Sequence, residues 1–248
     1  MTGFVQPART KLADFESGYV CNIGRRHDYN RWYSMDARLI AWARAASARR
    51  RRDRRLPTLW LFTDARRLPD PRPVAACLPR GLAGVVLRHD GEPGRETLGR
   101  DLARICRARR LALVVAGDAR LAAALGAGMH LRSGRWPGVT RPGRRLVTSS
   151  AHDLADLLRA RRAGAALAFL SPTFATASHP EATALGSVRW ARLAGSAGLR
   201  VAALGGITGA SVQRLPVRIC HAVGAIGALV SSPVALKPQC FAIAMRTA

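Results

Sequence analysis

Residues 111–131 read LALVVAGDARLAAALGAGMHL. An apolar run at 111–116 gives way at Gly117-Asp118 to an Ala/Leu-rich stretch at 120–126, and a second brief apolar run follows at 129–131. Apolar runs without polar alternate positions belong to strands buried on both faces, the signature of a parallel sheet covered by helices. The alternation extends outward in both directions. TLWLFT at 58–63 and GVVLR at 84–88 come before it, with a helical stretch at 96–110. LVTSS at 146–150, ALAFL at 166–170, RVAAL at 200–204 and AVGAIGAL at 222–229 come after it, with helical segments at 153–163, 184–197 and 208–215. Eight such strands alternating with helices over roughly 175 residues suggest an α/β fold of the (β/α)8 TIM-barrel type. A doubly wound open sheet satisfies the same pattern, because periodicity does not report closure.

Upstream, MDARLIAWARAASARRRRD at 35–53 predicts a further helix, with an apolar stripe of Leu39, Ile40, Trp42, Ala43 and Ala46 and a basic C-terminal end. The chain then divides into an N-terminal extension at 1–35, a basic helix at 36–55, a barrel at 56–231 and a tail at 232–248. Met35 is a second candidate start, since the readable pattern begins beside it. Pro233 and Pro238 break the chain after the last strand, so no eighth outer helix is expected there. The helix at 36–55 is expected over the barrel seam or floor instead.

The chain has 248 residues, 40 basic and 15 acidic, for a net charge of +25; Lys11 and Lys237 are the only lysines. An apolar fraction of 48% excludes a disordered basic protein. The longest apolar candidate, 219–230, is too short to span a bilayer and contains His221. Five scattered cysteines with no zinc-type spacing, and no apolar leader in the first twenty residues, point to a cytoplasmic protein with reduced thiols. The arginine excess suggests either a polyanion partner or compositional drift. The dense run at 49–55 has no interleaved aromatic residue and suits a solvated helix end.

Barrel chemistry sits at the C-terminal ends of the strands. That rule selects Asp64, Arg88 to Asp90, Asp118, His130, Ser150, His152, the loop SPTFATASHP from Ser171 to Pro180, Gly205-Gly206 and Gly227. Gly205-Gly206 lets backbone N–H groups approach a phosphate, and the helix expected from Thr208 would add positive partial charge. A plain tight turn is the competing reading. Ser150 and His152 point to one side of an alternating strand, where a histidine serves as general acid or base; helix capping is the alternative role. His130 is read equally as a packed barrel residue. Thr176 and His179 offer hydrogen bonds from the Ser/Thr-rich loop.

The order of motifs LFTD, VVLR, VVAGD, LGAGMHL, SSAH, LSPTFATASHP, ALGGIT and AIGAL, over 59–229, resembles the thiamine phosphate synthase / TenI family. The resemblance implies a TIM barrel that binds a thiazole phosphate. Such a barrel either couples it to hydroxymethylpyrimidine diphosphate with Mg2+ or tautomerises it with the S-x-H histidine. Carried over residue by residue, Ser150 and His152 match the S-x-H pair. Thr176, Gly205, Gly206 and Ile207 match the thiazole phosphate side, and Gly227 lies in the matching final loop. Arg88 matches the arginine of Q-x-R-x-K, but Val86 and Asp90 stand for its glutamine and lysine. The family's Asn-Asp pair falls on Ala116 and Gly117, leaving Asp118 as the nearest candidate Mg2+ ligand. The acid expected after the HLG segment is absent, since His130-Leu131 leads into Arg132-Ser133-Gly134-Arg135. His179 stands for a lysine, and Arg132 and Arg135 are candidate replacements for the missing cations.

The implied function is a divergent enzyme of thiamine biosynthesis acting on small phosphorylated thiazole or pyrimidine ligands, without a membrane and as a possible homo-oligomer. A catalytically inactive phosphate-ligand-binding or regulatory barrel is the alternative reading. A nucleic-acid binder using 49–55 is the third.

Overall fold

The computed structural model describes residues 13–15, 18–22, 32–50, 56–138, 145–176 and 181–230. Its centre is a closed barrel of eight parallel strands: β4 (Leu59–Phe62), β5 (Ala83–Leu87), β6 (Ala112–Ala116), β7 (Gly128–Leu131), β8 (Val147–Ala151), β9 (Leu167–Leu170), β10 (Val201–Leu204) and β11 (Cys220–Ala225). Closure is made by β11 pairing with β4, Val223 opposite Leu59 through Ala225 opposite Leu61. The open sheet is thereby excluded.

Inward and outward residues build two separate cores. Trp60, Phe62, Val86, Val114, Ala116, Leu167, Phe169, Ala202 and Ala222 fill the barrel interior. Their alternates, such as Leu59, Leu61, Val85, Leu87 and Val115, pack against the outer helices. The aromatic residues climb the axis. The Trp60 indole donates to the Pro57 carbonyl at the floor (3.0 Å) and meets Phe169 edge-on (5.6 Å), and Phe169 meets Phe62 edge-on (4.8 Å). Gly84 on the neighbouring strand makes room for Trp60, since a Cβ there would lie 2.6 Å from the indole ring.

The outer layer is α2 (Arg72–Cys77), α3 (Arg95–Arg109), α4 (Ala119–Ala124), α5 (Leu154–Arg162) and α6 (Gly186–Ser196). The helix expected at 208–215 is reduced to a single 3-10 turn at Ser211–Arg214. The Thr208 and Ser211 side chains bond each other's backbone N–H groups, which competes with helical bonding, and Pro216 ends the segment. The expected strand at 222–229 likewise ends at Ala225 and continues as a 3-10 turn, Gly227–Leu229.

The N-terminal helix, α1 (Ala37–Arg49), buries the predicted stripe of Leu39, Ile40, Trp42, Ala43 and Ala46. It lies outside the barrel over the β11–β4 seam rather than the floor. Thr58 Oγ1, just before β4, donates to the Ala43 carbonyl (2.8 Å), and the Arg50 guanidinium donates to the Cys220 and His221 carbonyls. Arg50 therefore docks the seam, whereas the pattern placed it on a solvated helix end; residues 51–55 lie outside the described residues. Ahead of α1, where the sequence shows no usable periodicity, three strands form an antiparallel sheet in the order β1 (Ala13–Phe15), β2 (Gly18–Asn22), β3 (Trp32–Met35). Among the described residues no helix is long and apolar enough to cross a membrane.

Removing Trp60 leaves an unfilled barrel floor. Trp60→Ala is expected to lower unfolding free energy by about 3–5 kcal/mol in urea titration, with the far-ultraviolet circular dichroism of the native state unchanged.

Candidate active site

At the C-terminal mouth of the barrel a cavity of about 650 Å³ is lined by Phe62, Arg67, Arg88, Asp90, His130, Arg132, Ser150, His152, Thr176, Gly205, Gly206 and Gly227. Residues selected from sequence thus converge: Arg88, Asp90, His130, Ser150, His152, Ser171, Thr176, Gly205, Gly206 and Gly227 all line it. His179 and Ser178 lie outside the described residues. Asp118 does not line the cavity, and neither does Asp64, whose carboxylate caps its own turn by accepting from the Arg66 and Arg67 N–H groups.

The glycine side is a loop and not a helix terminus. Gly205 and Gly206 both have positive φ, +90° and +64°, a conformation that turns their backbone away from the extended strand. Gly206 packs so tightly that a Cβ would come within 2.8 Å of Phe174 Cβ. Ser211 Oγ donates to the Gly206 carbonyl (2.8 Å), and the Asp36 carboxylate accepts from Gly209 N (2.6 Å) while Asp36 N donates to the Ala228 carbonyl (3.2 Å). The start of α1 thereby pins both glycine-bearing loops.

His152 follows β8, and its Nδ1 lies 3.0 Å from the Ser171 carbonyl oxygen. A carbonyl only accepts, so Nδ1 carries the hydrogen and the neutral ring has its lone pair on Nε2. Helix capping falls to Asp153, which accepts from Asp156 N (2.7 Å). Ser150 serves the framework, since its Oγ accepts from Ser133 N (3.1 Å). Gly134 N donates to Ser149 Oγ (2.9 Å), Ser133 Oγ donates to Asp156 (3.0 Å), and Arg159 bonds both Asp156 and the Ser133 carbonyl. The turn carrying Arg132 is held rigid by these contacts.

His130 forms part of the cavity floor. Its Nδ1 meets Thr148 Oγ1 (2.9 Å), and its ring stands edge-on to Phe62 (5.6 Å). Burial, reinforced by the Arg88 and Arg132 charges, lowers its pKa to about 3. The ring is neutral at physiological pH.

The cationic side is organised by Arg95, which the sequence did not single out. Its guanidinium donates to the Arg88 carbonyl (2.8 Å) and the Ala116 carbonyl (2.6 Å) and pairs with Asp90 (3.2 Å) and Asp118 (3.4 Å). Arg88 is held from below by its N–H on Thr63 Oγ1 (2.9 Å), a hydroxyl also met by His89 Nδ1 (2.9 Å). Asp90 also pairs with Arg132 (2.7 Å). Arg67, equally unmarked in the sequence, stands beside Gly227, with Nη2 3.4 Å from where a Cβ there would lie. The only sequence signal for either arginine is its position in or beside a strand-end loop.

The expected Mg2+ does not fit this donor set. Among the described residues no three His, Cys, Asp or Glu side chains converge. Asp118 caps α4 through Leu121 N (2.9 Å) and pairs with Arg95, Asp90 is engaged by two guanidinium groups, and Ala116 and Gly117 bring no oxygen-bearing side chain.

A TIM barrel whose mouth joins a glycine loop to a histidine and a set of arginines presents groups of the kind that can contact phosphate oxygens. Known proteins narrow the class. The thiamine monophosphate synthase family profile matches residues 59–231, so the chain belongs to that family. A thiamine biosynthesis bifunctional protein of Geobacter sulfurreducens is 32% identical over 187 residues, covering 71% of this chain and 37% of that protein. A putative thiamine-phosphate synthase 2 of Aquifex aeolicus is 29% identical over 180 residues, 69% of this chain and 94% of that one. The thiamine phosphate pyrophosphorylase structure from Pyrococcus furiosus shares the fold, with a TM-score of 0.60 at 21% identity, over 71% of this chain and 89% of that one. Family membership supports a role in thiamine biosynthesis.

The neutral His130 makes stability pH-dependent. Its folded pKa, about 3, lies below its unfolded value of 6.5, so the unfolded chain binds the extra proton between those limits. Stability is then full above pH 6.5 and falls as pH drops toward 3. His130→Gln is expected to flatten that part of the denaturation-midpoint profile; a wild-type slope retained in the variant would assign it to other groups.

Proposed function

We propose that this chain handles a thiazole phosphate in thiamine biosynthesis, holding the phosphate on the Gly205–Gly206 and Gly227 loops and moving a proton at His152. The observation that carries this reading is the 3.0 Å contact of His152 Nδ1 with the Ser171 carbonyl oxygen, which leaves Nε2 as the proton acceptor of a residue lining the same cavity as the glycine loops. Backbone N–H groups of the two loops supply the phosphate donors, and Thr176 adds a hydroxyl at the rim. A tautomerisation needs one group that removes a proton from one ring position and returns it to another, leaving composition unchanged. The Ser171 carbonyl steadies the imidazolium formed in between. Apolar Ile207 and Phe62 flank the space for the ring.

The coupling reaction of the family asks more of the site, because a departing diphosphate needs charge neutralisation. With no carboxylate cluster among the described residues, the donor set favours the proton-transfer reading over Mg2+-dependent coupling. A purely binding barrel shares the glycine loops but has no use for His152.

The test pairs calorimetry with NMR on the purified full chain. Thiazole phosphate should bind the wild type and His152→Ala alike, and should fail to bind Gly206→Asp. Conversion between thiazole phosphate tautomers should fall about 10²–10⁴-fold in His152→Ala. Binding without conversion in the wild type would establish the binding barrel; no binding at all would overturn the assignment of the glycine loops.

A further inference from the structure

One residue outside the barrel holds both glycine loops. Asp36 lies between β3 and α1, ahead of the first barrel strand. Its backbone N–H donates to the Ala228 carbonyl (3.2 Å) in the loop after β11, and its Oδ2 accepts from Gly209 N (2.6 Å) in the loop after β10. Its Oδ1 faces the helix and accepts from Arg38 N (3.0 Å) and Leu39 N (3.3 Å). The two carboxylate oxygens thus have separate duties. One caps α1, and the other ties the start of that helix to a loop of the mouth.

The anchor is firm at both ends. Met35 before Asp36, and Leu39 and Ile40 after it, are buried in the core. Gly209 fits closely against the carboxylate, because a Cβ there would overlap Asp36 Oδ1. From Gly209 the restraint passes back along the loop: Thr208 N donates to Ser211 Oγ (2.8 Å), and Ser211 Oγ donates to the Gly206 carbonyl (2.8 Å). On the other loop, Ala228 directly follows Gly227. Gly205, Gly206, Thr208, Gly227 and Ala228 line the cavity, whereas Asp36 and Gly209 do not. Asp36 therefore acts on the cavity through the backbone it holds.

Backbone N–H groups hold an anion well when several converge on one point. An anion that must first order the loops loses affinity to that ordering, so a clamp that fixes them beforehand strengthens binding. We propose that Asp36 is a positioning residue that sets the two glycine loops for a phosphate group, and thereby sets the preference for a phosphorylated ligand over its unphosphorylated counterpart. The proposal rests on the reading that these loops hold the phosphate of a thiazole phosphate. The sign of the effect separates it from plain electrostatics. Removing a carboxylate beside the mouth would, by Coulomb attraction alone, tighten an anion. Releasing the clamp weakens it.

The experiment uses Asp36→Asn and Asp36→Ser in the full chain. Both keep an oxygen that caps α1. Asn sets an NH2 donor against the Gly209 N–H, and Ser has one oxygen where Asp has two. Calorimetry with thiazole phosphate and with its dephosphorylated alcohol reads the ratio of the two affinities. That ratio should favour the phosphate in the wild type. It should fall about tenfold in both variants, from loss of a charge-assisted hydrogen bond, while the alcohol binds as before. Gly209→Ala, which displaces the carboxylate from the opposite side, should lower the ratio likewise with Asp36 intact. Amide hydrogen exchange at Gly209 should quicken in Asp36→Asn with the thermal midpoint retained. Thiazole phosphate binding that is unchanged or tighter in the variants, or an equal loss for both ligands, would overturn the proposal. A wild type without preference for the phosphorylated ligand would instead overturn the reading of the glycine loops, and the proposal with it. If the Asp36 variants melt early, the ratio in Gly209→Ala decides.

Discussion

Pairing of β11 with β4 turns an eight-strand sheet into a barrel, and every feature of the site follows from that closure. Closure brings the loops after β10 and β11 opposite those after β6 and β7, which sets the glycine loops against the Arg132 turn across one cavity. It also forces the inward residues of all eight strands onto one axis, where Trp60, Phe169 and Phe62 stack from floor to mouth. His130 tops that column, so its neutrality is a by-product of the same packing that closes the floor. The seam is sealed from outside by α1, through Leu39, Ile40 and Ala43 and through the reach of Arg50 to the β11 backbone.

The barrel was legible because parallel strands buried on both faces leave uninterrupted apolar runs, and each run from Leu59 to Val223 overlaps its strand. The departures lie where local side-chain chemistry overrides pattern. Thr208 and Ser211 divert a helical segment into one turn. The six-residue α2, entered through Pro71 and Pro73, is too short to show a period. The strands at 13–35 carry no alternation by which to find them.

The site was legible as a set of strand ends, and most of the residues so chosen share the cavity. What sequence did not reveal is which members are also tied into the framework. Ser150 reads like half of a catalytic pair, yet its hydroxyl holds a turn. Asp118 reads like a metal ligand, yet it caps a helix. Arg95 leaves no mark in the sequence beyond one arginine among 38, although it bonds the ends of β5 and β6 and two carboxylates at once. The net charge of +25 accordingly says little about the ligand, because the arginines that matter are distinguished by their partners and not by their number.

The helix over the seam comes from the wrong end of the chain for a barrel made in strand order. Asp36 and Arg50 bond residues about 170 positions later, at Gly209 and Cys220. On a ribosome, α1 emerges long before β11, the strand it covers, so its apolar stripe stays without its native cover until most of the chain has been synthesised. Such late, long-range docking raises contact order and slows folding. The glycine loops, held by Asp36, are then among the last parts of the molecule to take their final shape, once the two ends of the barrel have met.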